Sequence, residues 1–285
     1  MERFTLRMEG WKQLCFPKKI NTHNPAMELK HCWRLFLTTL VNLEVAYLRF
    51  LGSLLASKTL VPFSFKNTCI GKTMVLVPIA HRCNDLERLN KAIEGGYHQV
   101  EVDIMWPNPL ETFILKHDWP SKDHAFSLKD SRGIERLTLK DLFEWIETTR
   151  MTHKNLKVYL DLKSKGAERK TYARLLLEAL HTCKVRSNLI ITSFDHLLLR
   201  HLHRHRPCMT YGAIIEASLI GLHTYLKTKL PFIKVAIVSE IILSNSVLRA
   251  VKPLPVYVYT LNCLSSIEAL KTTRVSGYFT DRYSS

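Results

Sequence analysis

From Thr73 onward, short apolar runs alternate with stretches whose apolar residues recur at helical spacing. MVLVPIA (74–80) is a buried-strand pattern and DLERLNKAIEG (85–95) a helix pattern with Asp85 near its start. HQVEVDIM (98–105) alternates polar and apolar positions, and TFILKHD (112–118) forms a second strand-like run before the helical LTLKDLFEWIETT (137–149). NLKVYLDLK (155–163), the long helix at 167–183, NLIITSFD (188–195) and a helix through His205 continue the alternation. MTYGAII (209–215), KVAIVS (234–239), PVYVYTLN (255–262) and GYFTD (277–281) complete the strands. Strands alternating with helices specify parallel βαβ units, and the length allows a barrel of eight such units. Nine strand-like runs are one more than such a barrel requires, so one of them belongs elsewhere.

Residues 1–72 have a different texture, and the boundary falls in FKNTCIGK (65–72). We expect two parts: an N-terminal helical extension, 1–72, and a barrel domain, 73–285. Within the extension, 33–56 is apolar but holds Arg34, Asn42, Glu44 and Arg49, whereas a membrane span wants about 20 predominantly apolar residues. Arg34, Thr38, Asn42, Arg49 and Ser53 fall within roughly 100° on a helical wheel. This is an amphipathic helix, which packs on a globular body or lies on an anionic membrane surface. Glu44 interrupts its apolar side.

Composition sharpens the question of partners. Lys and Arg number 41 against 25 Asp and Glu, a net charge of +16. Such a field attracts nucleic acid, anionic membranes or phosphorylated small molecules and says little about fold. No zinc-finger, RNP or OB-like pattern accompanies it, so nucleic acid is not an expected partner. The basic run at 200–206 reads as a solvated helix end or as a patch for anionic headgroups. Seven scattered cysteines without a Cys-x-x-Cys pair, and no signal-peptide core in residues 1–10, fit reduced thiols and a cytoplasmic protein, with peripheral membrane attachment as the alternative.

In a parallel barrel the functional groups stand at the carboxyl ends of the strands. Here His81-Arg82, Glu101 with Asp103, His117-Asp118, Asp161 with Lys163, Ser193 with Asp195, and Thr280-Asp281 end successive strands. Singly, each pattern is common: Glu-x-Asp is often a solvated face and Asp-x-Lys a surface ion pair. Their occurrence in order at successive strand ends is what carries weight. Residues two apart share a strand face, so Glu101 points with Asp103 and Asp161 with Lys163. Three converging carboxylates call for a cation, and oxygen ligands suit Mg²⁺ or Ca²⁺. Two flanking histidines are placed for acid and base work, and Arg82 and Lys163 for binding phosphate.

IAHRCN, VEVDI, LKHD, VYLDLK, ITSFD, VYTLN and GYFTD, over residues 74–283, together resemble the ordered motifs of the glycerophosphodiester phosphodiesterases. The likeness extends to the sphingomyelinase D-type enzymes of the same phospholipase C-like phosphodiesterase superfamily. It implies a TIM (β/α)8 barrel, a divalent cation held by Glu101, Asp103 and Asp161, the pair His81 and His117 as acid and base, and Lys163 with Arg82 on the phosphate. Tyr259 stands where the family usually has a pocket-wall Trp, Cys83 where it has Gly, and a Pro-Glu-Asn-Thr segment is missing. The implied activity is metal-dependent hydrolysis of a glycerophosphodiester or lysophospholipid-like substrate, and hence a place in lipid metabolism. The alternatives are a sugar-phosphodiester synthase resembling agrocinopine synthase, and a barrel that binds without turning over.

Overall fold

A computed structural model describes residues 75–107, 110–119, 127–129, 133, 135–216 and 222–283. The amphipathic stretch 33–56 and the proposed boundary at 65–72 lie outside the described residues.

Within the described part, strands β1 (Val77–Ala80), β2 (Gln99–Met105), β4 (Lys157–Lys163), β5 (Leu189–Ser193), β6 (Thr210–Ile215), β7 (Val235–Ser239), β8 (Val256–Tyr259) and β9 (Gly277–Thr280) form one parallel sheet. Its order is β1-β9-β8-β7-β6-β5-β4-β2, and pairing of β1 with β2 closes it into an eight-stranded barrel. Helices α1 (Leu86–Glu94), α2 (Leu139–Thr149), α3 (Arg169–Thr182), α4 (His196–His205), α5 (Leu222–Lys229), α6 (Asn245–Ala250) and α7 (Leu264–Leu270) fill the crossovers. The chain has the TIM-barrel fold.

The surplus strand of the sequence reading is 112–118. Only Ile114–Leu115 forms a strand, β3, and it runs antiparallel on β2, with Met105 opposite Ile114 and Ile104 opposite Leu115. Its apolar character has a different cause from that of a barrel strand. Phe113, Ile114 and Leu115 are buried as the chain folds back over the carboxyl half of β2, and the Phe113 ring meets Trp106 and Tyr172.

Period-2 alternation sorts the strand residues between two cores. One set, including Val100, Val102, Leu160, Ile191 and Val238, faces the helices. The other, Ile79, Tyr159, Ile190, Ile214, Ile237 and Phe279, fills the barrel interior. Tyr159 anchors this plug by donating its hydroxyl to Gln99 Oε1 at 3.0 Å. Gly277 is needed where β9 meets β1, because a Cβ there would lie 2.2 Å from the Val77 carbonyl oxygen. Helix starts are fixed by side-chain caps: Asp85 accepts from Arg88 N–H, Thr138 and Asp141 form a reciprocal box, and Asp195 accepts from the amides of Leu197 and Leu198. Asp195 also receives Arg169 Nε at 2.6 Å, so its place after the fourth barrel strand, β5, is structural.

Candidate functional site

The barrel mouth is built by register. Asp103 on β2 pairs with Asp161 on β4, and Met105 with Lys163, so carboxylates from two strands sit side by side over the plug. Glu101 lies one inward position below Asp103. Single oxygens of Glu101, Asp103 and Asp161 lie within 4.8 Å of one another, and the residues are only 4%, 1% and 5% exposed. Burial and then its acidic neighbours push the Glu101 carboxyl well above the ordinary glutamate range, and burial likewise raises Asp161.

Lys163 is the nearest fixed cation. Its Nζ donates to Asp161 Oδ2 and lies 2.9 Å from Asp103 Oδ1. Burial works against its charge, but Asp161, Asp103 and Glu101 more than offset this and hold the ammonium above its ordinary range. One ammonium does not neutralise three carboxylates. The remaining capacity is visible in Asp161 Oδ1, which is buried and accepts no hydrogen bond. An all-oxygen, negatively charged cluster with an unsatisfied lone pair fits a hard divalent cation.

Each histidine is held by a carboxylate. His81 Nδ1 donates to Asp281 Oδ1 at 2.8 Å, which leaves Nε2 facing Glu101 Oε2 at 3.8 Å. Asp281 is fixed by Asn262, which donates to Oδ2 and accepts the Asp281 amide. The bond from His81, helped by Asn262, pulls the Asp281 carboxyl down to about 2. His117 reaches the mouth because β3 carries the chain back along β2, with the Lys116 amide bonded to the Asp103 carbonyl at 3.0 Å. His117 Nδ1 donates to Asp118 Oδ1 at 2.6 Å, and Arg82 Nη2 lies 2.9 Å from His117 Nε2. A guanidinium only donates, so this arrangement places the lone pair of His117 on Nε2.

Arg82 follows β1 with φ of 56°, a left-handed conformation rare for a side-chain-bearing residue. The turn is held by the Arg82 amide, which donates to Glu101 Oε2 at 2.7 Å, and by the Asn84 amide, which donates to the Arg82 carbonyl. Arg82 Nε–H is buried and has no acceptor. Strain and an unsatisfied donor thus coincide at the mouth, a combination found at functional sites.

All the residues predicted for the phosphodiester site therefore gather at one mouth. Tyr259 ends β8 and meets the Phe194 ring edge-on, with Phe194 in turn 5.5 Å from Lys163 Nζ, so the two rings form an aromatic wall beside the lysine. Cys83 is packed inside, its thiol pushed up to about 12 mainly by burial. The sequence reading gave no role to Asn84, Asp118, Asp281 or Asn262. The first donates to Asp103 Oδ2 at 2.7 Å and accepts the Asp103 amide, which orients that carboxylate. Asp118 and Asp281 were visible as the second members of strand-ending dipeptides, and only tertiary pairing reveals which atom each one fixes. Beside the mouth lies a cavity of about 480 Å³ lined by His81, Arg82, Asp281, Arg88, Lys91 and Tyr283.

No protein-family model and no curated protein matches the chain. Solved structures do. A glycerophosphodiester phosphodiesterase from Parabacteroides distasonis superposes with a TM-score of 0.62 at 18% identity over 74% of this chain and 94% of its own. An Oleispira antarctica phosphodiesterase in complex with the product sn-glycerol-3-phosphate gives 0.63 at 17% identity, covering 74% and 94%. A calcium-dependent phosphoinositol-specific phospholipase C from Pseudomonas gives 0.50 at 10%, covering 74% and 90%. The chain shares the barrel fold of the glycerophosphodiester phosphodiesterases.

Proposed function

We propose that this chain is a divalent-cation-dependent phosphodiesterase that cleaves a glycerophosphodiester or a lysophospholipid-like diester by two-histidine acid–base chemistry. One observation carries the reading: the same mouth holds a buried carboxylate oxygen without a donor, Asp161 Oδ1, and a buried guanidinium N–H without an acceptor, Arg82 Nε. The first fits a divalent cation and the second an anion such as a phosphate, the two groups that a cation-dependent phosphodiesterase would have to hold. The Oleispira phosphodiesterase of like fold holds the product sn-glycerol-3-phosphate, which supports this class of substrate.

Glu101, Asp103 and Asp161 are the residues that would hold the ion, which supplies positive charge against the developing phosphate negative charge. Lys163, tied to two of these carboxylates, adds a fixed ammonium on the same side. A phosphate oxygen offers Arg82 a charge-assisted partner stronger than neutral imidazole, so substrate binding draws the guanidinium away from His117. His117 Nε2 is then free to take the proton of the attacking hydroxyl while Asp118 holds the ring. His81, held through Nδ1 by Asp281 with Nε2 turned toward Glu101, acts as the acid on the leaving alcohol. A new P–O bond forms to the attacking oxygen as the P–O bond to the leaving alcohol breaks. The exposed Phe194 and the half-buried Tyr259 line the route to the mouth beside Lys163.

Phosphorus NMR over a panel of glycerophosphodiesters and lysophospholipids, with Mg²⁺ or Ca²⁺, tests this. The wild type should yield a phosphomonoester, or a cyclic phosphate if the nucleophile is a substrate hydroxyl. His117→Ala and His81→Ala should each slow turnover by at least about 10². Wild-type rates in either variant would refute the histidine assignment. Cation binding by the wild type without turnover of any member would support a barrel that binds only.

A further inference from the structure

The face of the barrel opposite the mouth is a cationic floor. It is made by the loops that lead from each helix into the next strand, residues 95–98, 150–156, 183–188, 206–209, 230–234, 251–255 and 271–276. These loops carry nine Lys or Arg and no Asp or Glu. Lys154, Lys184, Arg186, Lys234 and Lys252 are exposed. The helix ends add Arg204, Lys227 and Lys229. Three carboxylates stand at the helix ends, Glu94 closing α1, Glu147 toward Lys184 at 3.8 Å and Glu268 to Lys271 at 2.6 Å, and they leave most of the floor charge uncompensated. The mouth has the opposite sign: among the described residues its strand-to-helix loops carry nine Asp or Glu against six Lys or Arg, and the buried triad outnumbers Lys163. The described barrel is thus polarised along its axis.

Within the floor lies a groove of about 550 Å³, in which Lys227, Lys234 and Lys252 surround walls that include Leu226, Leu230 and Pro253. Its lining contains no Asp or Glu and no Phe, Tyr or Trp. Val75, 89% exposed, and Met151, 73% exposed, add apolar side chains on the same face.

We propose that this floor is a docking surface for anionic lipid bilayers. A cationic rim around aliphatic walls matches an acidic headgroup above an acyl chain. Single-stranded nucleic acid instead wants an aromatic stacking platform, which the groove lining lacks. Residues 1–72 carry eleven Lys or Arg against four Asp or Glu, the same sign as the floor, so the charge complement it calls for is an external anion. Docking through the floor turns the mouth toward water. On the catalytic reading above, the substrate is then a water-soluble phosphodiester and not a lipid still seated in the same bilayer.

Co-sedimentation of the full chain tests the docking independently of turnover, with vesicles of pure phosphatidylcholine and of equal parts phosphatidylcholine and phosphatidylserine. The wild type should bind only the anionic vesicles, less so as salt rises. Each cation near such a surface contributes roughly fivefold in binding. Replacing Lys154, Arg186, Lys234 and Lys252 together by Gln should therefore weaken it on the order of several hundred-fold, with an unchanged melting curve. Equal binding to both vesicle types, no vesicle binding at all, or full binding by the quadruple variant would each overturn the proposal. So would tighter binding of the wild type to a single-stranded oligonucleotide than to the anionic vesicles in the same buffer.

Discussion

Replacing Glu101 by Gln should stabilise the metal-free protein and destabilise the metal-loaded one relative to wild type. The carboxylate oxygens of Glu101, Asp103 and Asp161 lie within 4.8 Å. Two unit charges at that separation repel by about 3.5 kcal/mol at an effective dielectric constant of about 20. Protonation limits the penalty: loading a proton on a glutamate at pH 7 from its ordinary value of 4.5 costs about 3.4 kcal/mol. Lys163 returns part of this, so the net gain from neutralising Glu101 is about 2 kcal/mol at pH 7. Gln keeps an oxygen to accept the Arg82 amide, so the turn after β1 survives the change. The sign follows from a folded-state carboxyl raised above its unfolded value: the folded protein holds the extra proton, and wild-type stability falls as pH rises above about 4.5. Wild type and variant should therefore coincide in acid and separate as pH increases. Saturating divalent cation should invert the order, since cation at about 100 times its Kd adds about 2.7 kcal/mol to the wild type alone. Urea denaturation followed by circular dichroism, in chelator and in Mg²⁺ or Ca²⁺, reads both effects. A variant less stable than wild type in chelator at pH 7, or stabilised equally by the cation, would refute the reasoning.

Two further substitutions probe the groups around the triad. Arg82→Gly and Arg82→Ala both remove the guanidinium and should lower kcat/KM by about 10² or more. The two should differ in stability, with Ala about 1 kcal/mol worse, because only Gly accepts φ of 56° without cost; equal stabilities, or wild-type turnover in either, would contradict the strained-turn account. Asp281→Asn should reduce kcat more than it changes KM, since it frees the His81 ring. As Asp281 is depressed to about 2 and its side chain is 45% exposed, its stabilising contribution should be about 1 kcal/mol or less. That contribution is present above the ordinary range near 3.8 and lost as pH falls through about 2; a variant that loses stability equally at all pH values would argue against the His81 pairing.

The barrel and its metal-competent triad were legible because both rest on short-range rules. Period-2 alternation put Glu101 with Asp103 and Asp161 with Lys163, and strand order then brought the two pairs together. The run 112–118 misled because Phe113, Ile114 and Leu115 are buried whichever way the strand pairs, and an antiparallel fold-back on β2 leaves no mark in composition. Asp195 looked like a site residue because it ends a barrel strand, yet the HLLLR that follows it is also the start of a helix in need of a cap. Asn84 and Asn262 could not be assigned from sequence, since their value lies in bonds to Asp103 and Asp281 made across separations of 19 residues.

The fold-back of β3 divides the labour of the site between two levels of architecture. The charge-binding groups Glu101, Asp103, Asp161 and Lys163 belong to the continuous barrel, whose hydrogen bonds give way only when the whole domain does. His117 hangs on a two-residue strand held by β2 on one side and by a single bridge, Ile114 to Thr138, on the other, at the edge of a long insertion between β2 and α2. Such appended pieces open at lower free energy than the body that carries them. Catalysis should therefore fail at denaturant concentrations where the barrel and its cation affinity persist. Changes in the length of the insertion would likewise abolish proton transfer without dismantling the ligand cage.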